Sequence, residues 1–228
     1  TADWGMNISV ANAGNCLVEL TVTGLKSHIW RPDTGVNAIT LASTLVEPLN
    51  TMSFFHTPAE MMGHTPPCVC VVRINGGLPG EMQFSPDSCT MTLAIVGIMP
   101  GMTIDTVIKD ITETVGNILG TSEEVGFSVR QVPDSLFVGG TEPVPEDQEP
   151  NLSITKAYQK LLGGTPHINR KNAFNDTIRF REAGMNAVTF GPGEDGWSPI
   201  NEGISIPKSV AATKIYALAI MSILGVSE

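Results

Sequence analysis

Three segments of this chain repeat with a period of two, so that each has one apolar face and one mixed face. They cover residues 16–23, 68–75 and 89–96. Such alternation is typical of strands in a sheet that is covered on one face. We therefore predict three strands with these apolar faces: Cys16, Val18, Leu20 and Val22 in the first, Cys68, Cys70, Val72 and Ile74 in the second, and Cys89, Met91, Leu93 and Ile95 in the third.

Two helices are predicted between and after these strands. Asp33 is a favourable N-cap for a helix that reaches Val46 and places Val36, Ile39, Ala42 and Val46 on one side. Residues 104–119 repeat apolar residues at helical spacing, and Gly120 is placed to end that helix. A further strand near 125–132 completes the order βαββαβ, which is the ferredoxin-like sandwich of the α/β (α+β) class.

The remainder of the chain is predicted to be less regular. Residues 48–67 and 133–151 are rich in proline and are expected to be loops. Beyond them the pattern predicts a helix at 152–162, a second at 176–183, a strand at 185–191 and a last helix at 207–224. That last helix is apolar on nearly every side and needs cover on most of them. Residues 134–228 do not offer that cover, which indicates that another half of a larger domain is absent.

Composition narrows the classes of partner. The net charge is −10, from 13 Lys plus Arg against 23 Asp plus Glu, and an acidic surface repels nucleic acid and anionic lipid. No apolar run is expected to cross a bilayer, since residues 204–226 are interrupted by Pro207, Lys208 and Lys214. The four cysteines fall on apolar strand positions, which favours reduced core thiols and a cytoplasmic location over a zinc site at Cys68 and Cys70.

Several short motifs carry the candidate chemistry. The segment GLKSHIWRPDTGVNAI spans residues 24–39 and holds His28 at a strand end. Near the other end of the chain come Asn175 and Asp176, then Gly191-Pro192-Gly193, then the pair Asn201-Glu202. Asn175-Asp176 alone reads as a helix N-cap, whose backbone N–H groups could also meet a substrate carboxylate. A single His at a strand end is more commonly an ordinary surface residue.

Taken together, these segments resemble the two-zinc amidohydrolases: acetylornithine deacetylase, succinyl-diaminopimelate desuccinylase, aminoacylase and glutamate carboxypeptidase. The resemblance implies a tail of the catalytic domain at 1–13, a lid and dimerisation domain at 14–133, and the C-terminal segment of the catalytic domain at 134–228. It implies that His28 donates a hydrogen bond to the oxyanion of the tetrahedral intermediate. Substrate contacts are implied for a set of residues comprising Asn175, Asp176, Gly191, Pro192, Gly193 and Ser198.

The chain departs from that family at several positions. Ser198 stands four residues before Glu202, where the family has a metal-binding His, and a hydroxyl is a poor zinc ligand. Gln83 and Gly97 replace a family Asn and a family Arg. Ile178 stands where another Arg is usual. The lost arginines remove bidentate recognition of a carboxylate. Glu194 and Asp195 are near enough in sequence to offer oxygen ligands instead of the missing His.

The prediction for function is therefore part of a metal-dependent hydrolase that cleaves a small-molecule amide, either an N-acyl amino acid, a peptide or a related C–N bond. Most ligands for zinc, manganese or cobalt would come from outside this chain, with none assigned within it. The partners expected are a second copy through the lid domain or a companion N-terminal chain, with neither nucleic acid nor membrane. Two alternatives stay open: a non-catalytic binding or assembly subunit, and a piece of an ordinary longer enzyme.

Overall fold

The computed structural model describes residues 6–56, 66–77, 79–171, 173–192 and 203–225. Its elements in chain order are β1 (Ile8–Asn12), β2 (Gly14–Thr23), β3 (Ser27–His28), α1 (Ala38–Thr51), β4 (Cys68–Gly76), β5 (Phe84–Ser85), β6 (Ser88–Ile98), α2 (Ile104–Leu119), β7 (Gly126–Gln131), α3 (Asn151–Leu162), β8 (Ile168–Lys171), α4 (Thr177–Glu182), β9 (Thr189–Phe190) and α5 (Ile206–Leu224).

The chain divides into two compact units. We call residues 13–56 and 66–140 the sandwich unit, and the described residues of 6–12 and 141–225 the C-terminal unit. Residues 134–140 belong with the sandwich unit because the backbone N–H of Val138 donates to the carbonyl of Asn15 (2.9 Å). Each unit is described below by itself.

The sandwich unit has the predicted ferredoxin-like architecture. Its four main strands form an antiparallel sheet in the order β4-β6-β2-β7, with α1 and α2 packed against them. Helix α2 spans the predicted residues, begins at the Thr103 capping box and is followed by Gly120. The apolar faces predicted for β2 and β6 are confirmed, since every residue in them is buried: Cys16, Val18, Leu20, Val22, Cys89, Met91, Leu93 and Ile95.

The face predicted for β4 is wrong for the residues before its bulge, whereas Ile74, after the bulge, pairs with buried Met91 as the predicted face requires. Cys68 and Cys70 are exposed, whereas Val69, between them, is 5% exposed and packs on the covered side opposite Ile95. The register against β6 shifts between Val71 and Arg73, so β4 contains a bulge at Val72. A bulge reverses the phase of alternation, and the period-two pattern read across it therefore assigned the wrong face. The interpretation of all four cysteines as core thiols holds only for Cys16 and Cys89.

Helix α1 also differs from its prediction. Residues 32–34 form a separate 3-10 turn, and Asn37 rather than Asp33 caps the helix, accepting from the backbone N–H of Ile39 at 2.9 Å. The buried stripe is consequently Ala38, Ala42, Leu45 and Leu49. The helix also continues through Pro48, where a loop was predicted, because tertiary packing of Leu45 and Leu49 outweighs the missing hydrogen bond.

Gly97 stands at a position where the backbone conformation favours glycine. It lies at a bulge of β6, where the register against β2 shifts next to Gly14, and its φ is +83°. A side chain in this left-handed region is strained. The glycine that replaces a family arginine here is therefore explained by the local backbone.

We expect Gly97→Ala to lower the free energy of unfolding by about 1–2 kcal/mol, because alanine disfavours a positive φ. Gly116→Ala is the matched control. An added Cβ there would contact only the ring of Phe127 at 3.6 Å, and alanine favours a helix interior by about 0.5–1 kcal/mol. Urea unfolding of both variants should therefore give shifts of opposite sign. Equal stability of the two variants would contradict this account of Gly97.

The C-terminal unit is built on a three-stranded sheet in the order β8-β1-β9, of which only β9 falls within a predicted strand. Strand β1 runs parallel to β8 and antiparallel to β9. Helices α3 and α5 pack against each other, and the core includes Ile8, Val10, Ile154, Tyr158 and Ile215. β8 was predicted as loop because four residues carry too little periodicity, and the strand predicted at 185–191 shortens to β9.

Helix α5 confirms the predicted apolar helix but leaves much of it uncovered. Its exposed apolar side chains, among the described residues, include Ile206, Val210, Tyr216, Ile220, Met221, Ile223 and Leu224. By length and composition α5 is one helix that could span a bilayer, although buried helices of globular proteins meet the same test. An apolar surface of this size in water requires a covering partner.

Candidate functional site

His28 lies on a short two-stranded ribbon at one end of the sandwich unit. Strand β3 pairs antiparallel with β5, so that His28 faces Phe84. The Ser27 and Ser85 hydroxyls are 2.9 Å apart and join the two strands. Behind the ribbon, Gly35 leaves room for the chain, since an added Cβ would lie 2.4 Å from the carbonyl oxygen of Leu25. The compact fold of residues 24–37 therefore fixes where the imidazole stands.

The imidazole has a defined orientation. Its Nδ1 accepts a hydrogen bond from the backbone N–H of Trp30 at 3.3 Å, and its ring meets Phe84 edge-on at 5.2 Å. A neutral imidazole whose Nδ1 accepts carries its proton on Nε2, which makes Nε2 the donor. Lys26 lies over the same Phe84 ring and pairs with Glu81 at 2.7 Å.

Large apolar side chains surround His28 without being buried. Trp30 and Met82 are 82% and 83% exposed, and Ile29 and Phe84 are also exposed. His28 itself is half-buried. Such an apolar patch beside an oriented polar donor is typical of a surface that binds a partner or a ligand.

Asn175 and Asp176 lie in the C-terminal unit, and their local roles differ from those expected. The Asn175 Oδ1 accepts from the backbone N–H of Thr177 (3.2 Å) and from Asn12 Nδ2 (3.2 Å). The next two backbone N–H groups donate to the carbonyls of Asn175 and Asp176. The expectation that this helix start offers N–H groups to a substrate carboxylate therefore does not hold for the backbone N–H groups of Thr177, Ile178 and Arg179, which are already bonded. Asp176 is exposed, and its side chain makes no capping bond.

A buried polar network ties Asn175 to the neighbouring strands. Asn12, 1% exposed, donates to the carbonyl of Ala173 (3.1 Å) and accepts from the Thr177 hydroxyl (2.9 Å). Asn175 Nδ2 donates to the Thr189 hydroxyl at 2.8 Å, at the start of β9. The network therefore links Asn175 to the strand that leads into Gly191. Sequence reasoning missed Asn12, since nothing in the pattern marks it.

Gly191 follows β9 directly. An added Cβ would lie 3.8 Å from the hydroxyl of Tyr216, which is ordinary contact, so packing within this unit does not require glycine. The Tyr216 hydroxyl donates to the carbonyl of Phe190, and burial raises the pKa of that hydroxyl. Pro192 is the last described residue of the loop. Gly193, Ser198, Glu194, Asp195, Asn201 and Glu202 lie outside the described residues.

Beside Gly191 is an apolar cavity of about 370 Å³. Its walls come from α3, α4, β9 and α5, and include Ile154, Thr177, Thr189, Tyr216, Ile220 and Ile223. Only the hydroxyls of the threonines and the tyrosine add polarity. Its chemistry fits apolar side chains rather than a charged ligand.

Two arginines that the sequence did not single out converge on Thr141. Arg170 of β8 is 2% exposed and donates to the Thr141 carbonyl at 2.5 Å, and Arg181 donates to the Thr141 hydroxyl at 2.7 Å. Burial lowers the pKa of Arg181, the charge of Arg170 lowers it further, and Glu142 opposes both. These contacts hold the chain segment that enters the C-terminal unit.

The described residues do not assemble a metal site. Among them, no group of three or more His, Cys, Asp and Glu side chains is placed to hold an ion. The donors present within the described ranges therefore do not form a metal centre among themselves.

The chain was compared with families and solved structures. Residues 10–123 match the family model of the peptidase dimerisation domain of M20 peptidases. Among solved structures, aminopeptidase PepT from Bacillus cereus is 17% identical with a TM-score of 0.67, covering 96% of this chain and 54% of its own length. A tripeptidase from Staphylococcus aureus is 17% identical with a TM-score of 0.69, covering 96% and 53%.

Human carnosine dipeptidase 1 is 16% identical with a TM-score of 0.64, covering 97% of this chain and 57% of its own. This chain thus spans little more than half the length of the structures it resembles. At these identities the likeness shows the fold. The predicted resemblance to the amidohydrolase and peptidase family is confirmed by the family match, which covers half of the chain. This chain belongs to the M20 family of peptidases, whose dimerisation domain it contains.

Proposed function

We propose that this chain supplies the lid and the C-terminal part of the catalytic domain of a metal-dependent amide hydrolase. In this proposal residues 14–133 are the lid and dimerisation domain, and 1–13 and 134–228 belong to the catalytic domain. The observation that supports it most strongly is the fixed orientation of the His28 imidazole. It is held with Nε2 as its donor, inside an exposed apolar rim, on a ribbon that fixes its position.

The role assigned to His28 follows from the chemistry of amide cleavage. When a water oxygen attacks the carbonyl carbon, the C=O π electrons move to the oxygen and create an oxyanion. A fixed donor near that oxygen stabilises the charge more in the transition state than in the substrate. The Nε2–H of His28 is such a donor, because Nδ1 is already held by Trp30.

The exposed apolar surface of the C-terminal unit supports the proposal that a companion half packs against it. The exposed apolar face of α5 and the cavity beside Gly191 are surfaces that a packed domain covers. The matched structures are nearly twice as long as this chain. We propose that residues of the preceding half cover α5 and bring most of the ligands for zinc, manganese or cobalt.

Self-association is proposed through strand β4. Both β4 and β7 are edge strands of the sheet. Of these two edge strands, β7 exposes Arg130, which pairs with Glu19. Strand β4 instead exposes the apolar residues Val72 and Ile74. Exposed apolar side chains on an edge strand favour pairing with another chain. A second copy of β4 is therefore the proposed partner, and the family match to a dimerisation domain supports it.

For substrate, we propose a small amide, either a peptide or an N-acyl amino acid. The names of the matched structures, an aminopeptidase, a tripeptidase and a dipeptidase, support peptide bonds. Gly97 and Ile178, in place of family arginines, argue against strong recognition of a carboxylate at those two positions. Gln83, which replaces a family Asn, uses its backbone carbonyl to accept from Ile29 at 3.0 Å. A cytoplasmic location, without nucleic acid or membrane as partner, belongs to the same proposal.

Gly191 offers a test of the substrate loop. We expect Gly191→Ala to change the free energy of unfolding by less than about 0.5 kcal/mol, because the added Cβ makes only ordinary contact with Tyr216. If substrate passes close to this backbone, kcat/KM should fall about ten-fold or more. Unfolding and steady-state assays of the same preparation measure the two. Unchanged kcat/KM would remove Gly191 from the proposed site.

Metal content and intact mass of the natively purified material test the proposal as a whole. Bound zinc, manganese or cobalt together with amide hydrolysis, in a longer or co-purifying polypeptide, supports the hydrolase. A stable species of 24.2 kDa without metal, active on no amide, supports the alternative of a binding or assembly subunit. Ser198, in place of the metal-binding His, is the observation that favours this alternative.

A further inference from the structure

Strand β4 presents two thiols on its exposed face. Cys68 and Cys70 are both exposed, lie two residues apart and therefore point to the same side of the sheet, opposite Val96 and Ala94 of β6. Both stand on the open face, since Val69 between them faces the covered side. A cysteine pair on an exposed edge strand is unusual, because cysteine is among the residue types most often buried.

We propose that Cys68 and Cys70 form a reversible disulfide between two copies of this chain, across paired β4 strands. This inference rests on the proposed association through β4. It adds to it a site of covalent modification that responds to the redox state.

The regular part of β4 is short, and this limits how two copies can pair. Pro66 and Pro67 precede the strand and have no N–H to donate, and the bulge at Val72 interrupts it. Pairing centred on Arg73 would place two like charges opposite each other, which is unfavourable. The segment from Cys68 to Val71 is therefore the stretch that suits a symmetric partner.

Helix α1 limits the pairing further. It packs on the face of β4 and β6 that carries Val69, so two copies that share a continuous sheet keep their helices on one side. The two-fold axis is then perpendicular to the sheet and passes through a residue position. An axis at Val69 sets Cys68 opposite the partner subunit's Cys70. An axis at Cys68 or at Cys70 sets that cysteine opposite the same cysteine of the partner subunit. An axis at Val71 would set Cys70 opposite the bulge at Val72, where regular pairing is interrupted, and is therefore disfavoured.

Each of these three registers places two cysteines directly across the new strand pair. Opposite residues of antiparallel strands have Cα atoms about 4.5–5.5 Å apart. A disulfide requires about 4.4–6.8 Å, so the geometry is suitable. Within one strand, residues two apart are separated by about 6.6–6.8 Å, at the upper limit of that range. Cross-linking between copies is therefore favoured over a bond between Cys68 and Cys70 of one chain.

The step needs an oxidant, for which we name a low-molecular-weight disulfide such as oxidised glutathione. One cysteine thiolate attacks a glutathione sulfur, breaks its S–S bond and releases one glutathione thiolate. The partner's thiolate then attacks the protein sulfur of the mixed disulfide and releases the second glutathione thiolate. Two protein thiols are oxidised, the oxidant is reduced to two glutathiones, and the two protons leave with them.

The test begins with the whole protein, purified under reducing conditions. Sedimentation under those conditions measures association without any disulfide. Oxidised glutathione is then added, free thiols are alkylated, and a non-reducing gel is run. We expect a species of twice the mass of the chain that a reductant removes. Peptide mass spectrometry should assign the bond to Cys68 and Cys70, with Cys16 and Cys89 unmodified because both are buried and burial raises the pKa of each thiol.

Variants and kinetics make the result specific. The double variant C68S/C70S should lose the cross-link about ten-fold or more while remaining associated, because serine at an exposed position leaves the strand intact. In a preformed dimer the effective concentration of the partner thiol is on the order of mM, so the rate should not depend on protein concentration. A rate that rises with protein concentration, or a bond only within one chain, would overturn the inference.

The failures of the two proposals can be told apart. A reduced protein that dimerises but is not cross-linked by oxidised glutathione overturns the disulfide and leaves the association intact. A reduced protein that stays monomeric overturns both the association and the disulfide that rests on it.

Discussion

Replacing His28 with alanine is expected to lower kcat for amide hydrolysis about 100- to 1,000-fold in the assembled enzyme. The reason is the loss of one positioned donor to the developing oxyanion, which corresponds to about 3–4 kcal/mol of transition-state stabilisation. KM should change much less, because the interaction forms chiefly in the transition state. Steady-state kinetics on a peptide or N-acyl amino acid would measure both.

A stability control is needed because His28 also contacts Phe84, ring to ring, at 5.2 Å. Losing that contact should cost about 0.5–1.5 kcal/mol of folding free energy, too little to unfold the protein. His28→Gln retains an N–H donor and should recover part of kcat. His167→Ala removes an exposed imidazole and should leave kcat unchanged. If His28→Ala turns over like wild type, the oxyanion role is lost.

Replacing Asn12 with leucine is expected to lower the stability of the C-terminal unit by about 2–3 kcal/mol. Leucine has nearly the same size but cannot form hydrogen bonds, so the Ala173 carbonyl loses its donor beside a buried side chain, and the Thr177 hydroxyl keeps only Asn175 Oδ1 as its acceptor. Each buried polar group left without a partner costs about 1–3 kcal/mol. The contact of Asn12 with Asn175 Oδ1 is lost as well.

Hydrogen exchange is the measurement of choice, because it reports on each unit separately. Protection should fall in β1, β8 and the start of α4 and stay unchanged in β2 and β6. Asn186→Leu is the matched control in the same unit, since Asn186 is exposed, and its effect should stay within about 0.5 kcal/mol. Equal effects of the two substitutions would mean that the network around Asn12 contributes little.

The ferredoxin-like sandwich could be predicted because its signals are local and strong. Helix α2 has an apolar stripe over its full length, β2 alternates in burial over nine residues, and β6 buries every residue of its predicted apolar face. Strand β4 shows where this reasoning fails. A single inserted residue at Val72 reversed its phase, and a bulge leaves no mark in a pattern of apolar and polar residues.

In the candidate site, too, local motifs could be predicted from the sequence and contacts between distant residues could not. The motif of residues 24–39 pointed to His28, which lies on a strand end as expected, and its role at the oxyanion stays a prediction. The substrate contact of Asn175 stays a prediction, whereas the engagement of its side chain with Asn12, Thr177 and Thr189 was not foreseen. Asn12 is 163 residues distant in sequence from Asn175. Contacts at such separation cannot be read from local spacing.

The sequence by itself therefore determined the family, the order of strands and helices in the sandwich unit, the position of His28 and the apolar character of α5. Those properties depend on neighbouring residues and on side-chain periodicity, which are written in the chain directly. Only the tertiary structure decided that Cys68 and Cys70 are exposed on an edge strand, that Asn12 secures the start of α4, and that Arg170 and Arg181 meet at Thr141. Strand register, burial and contacts between distant segments arise from packing the whole chain, and no local pattern encodes them.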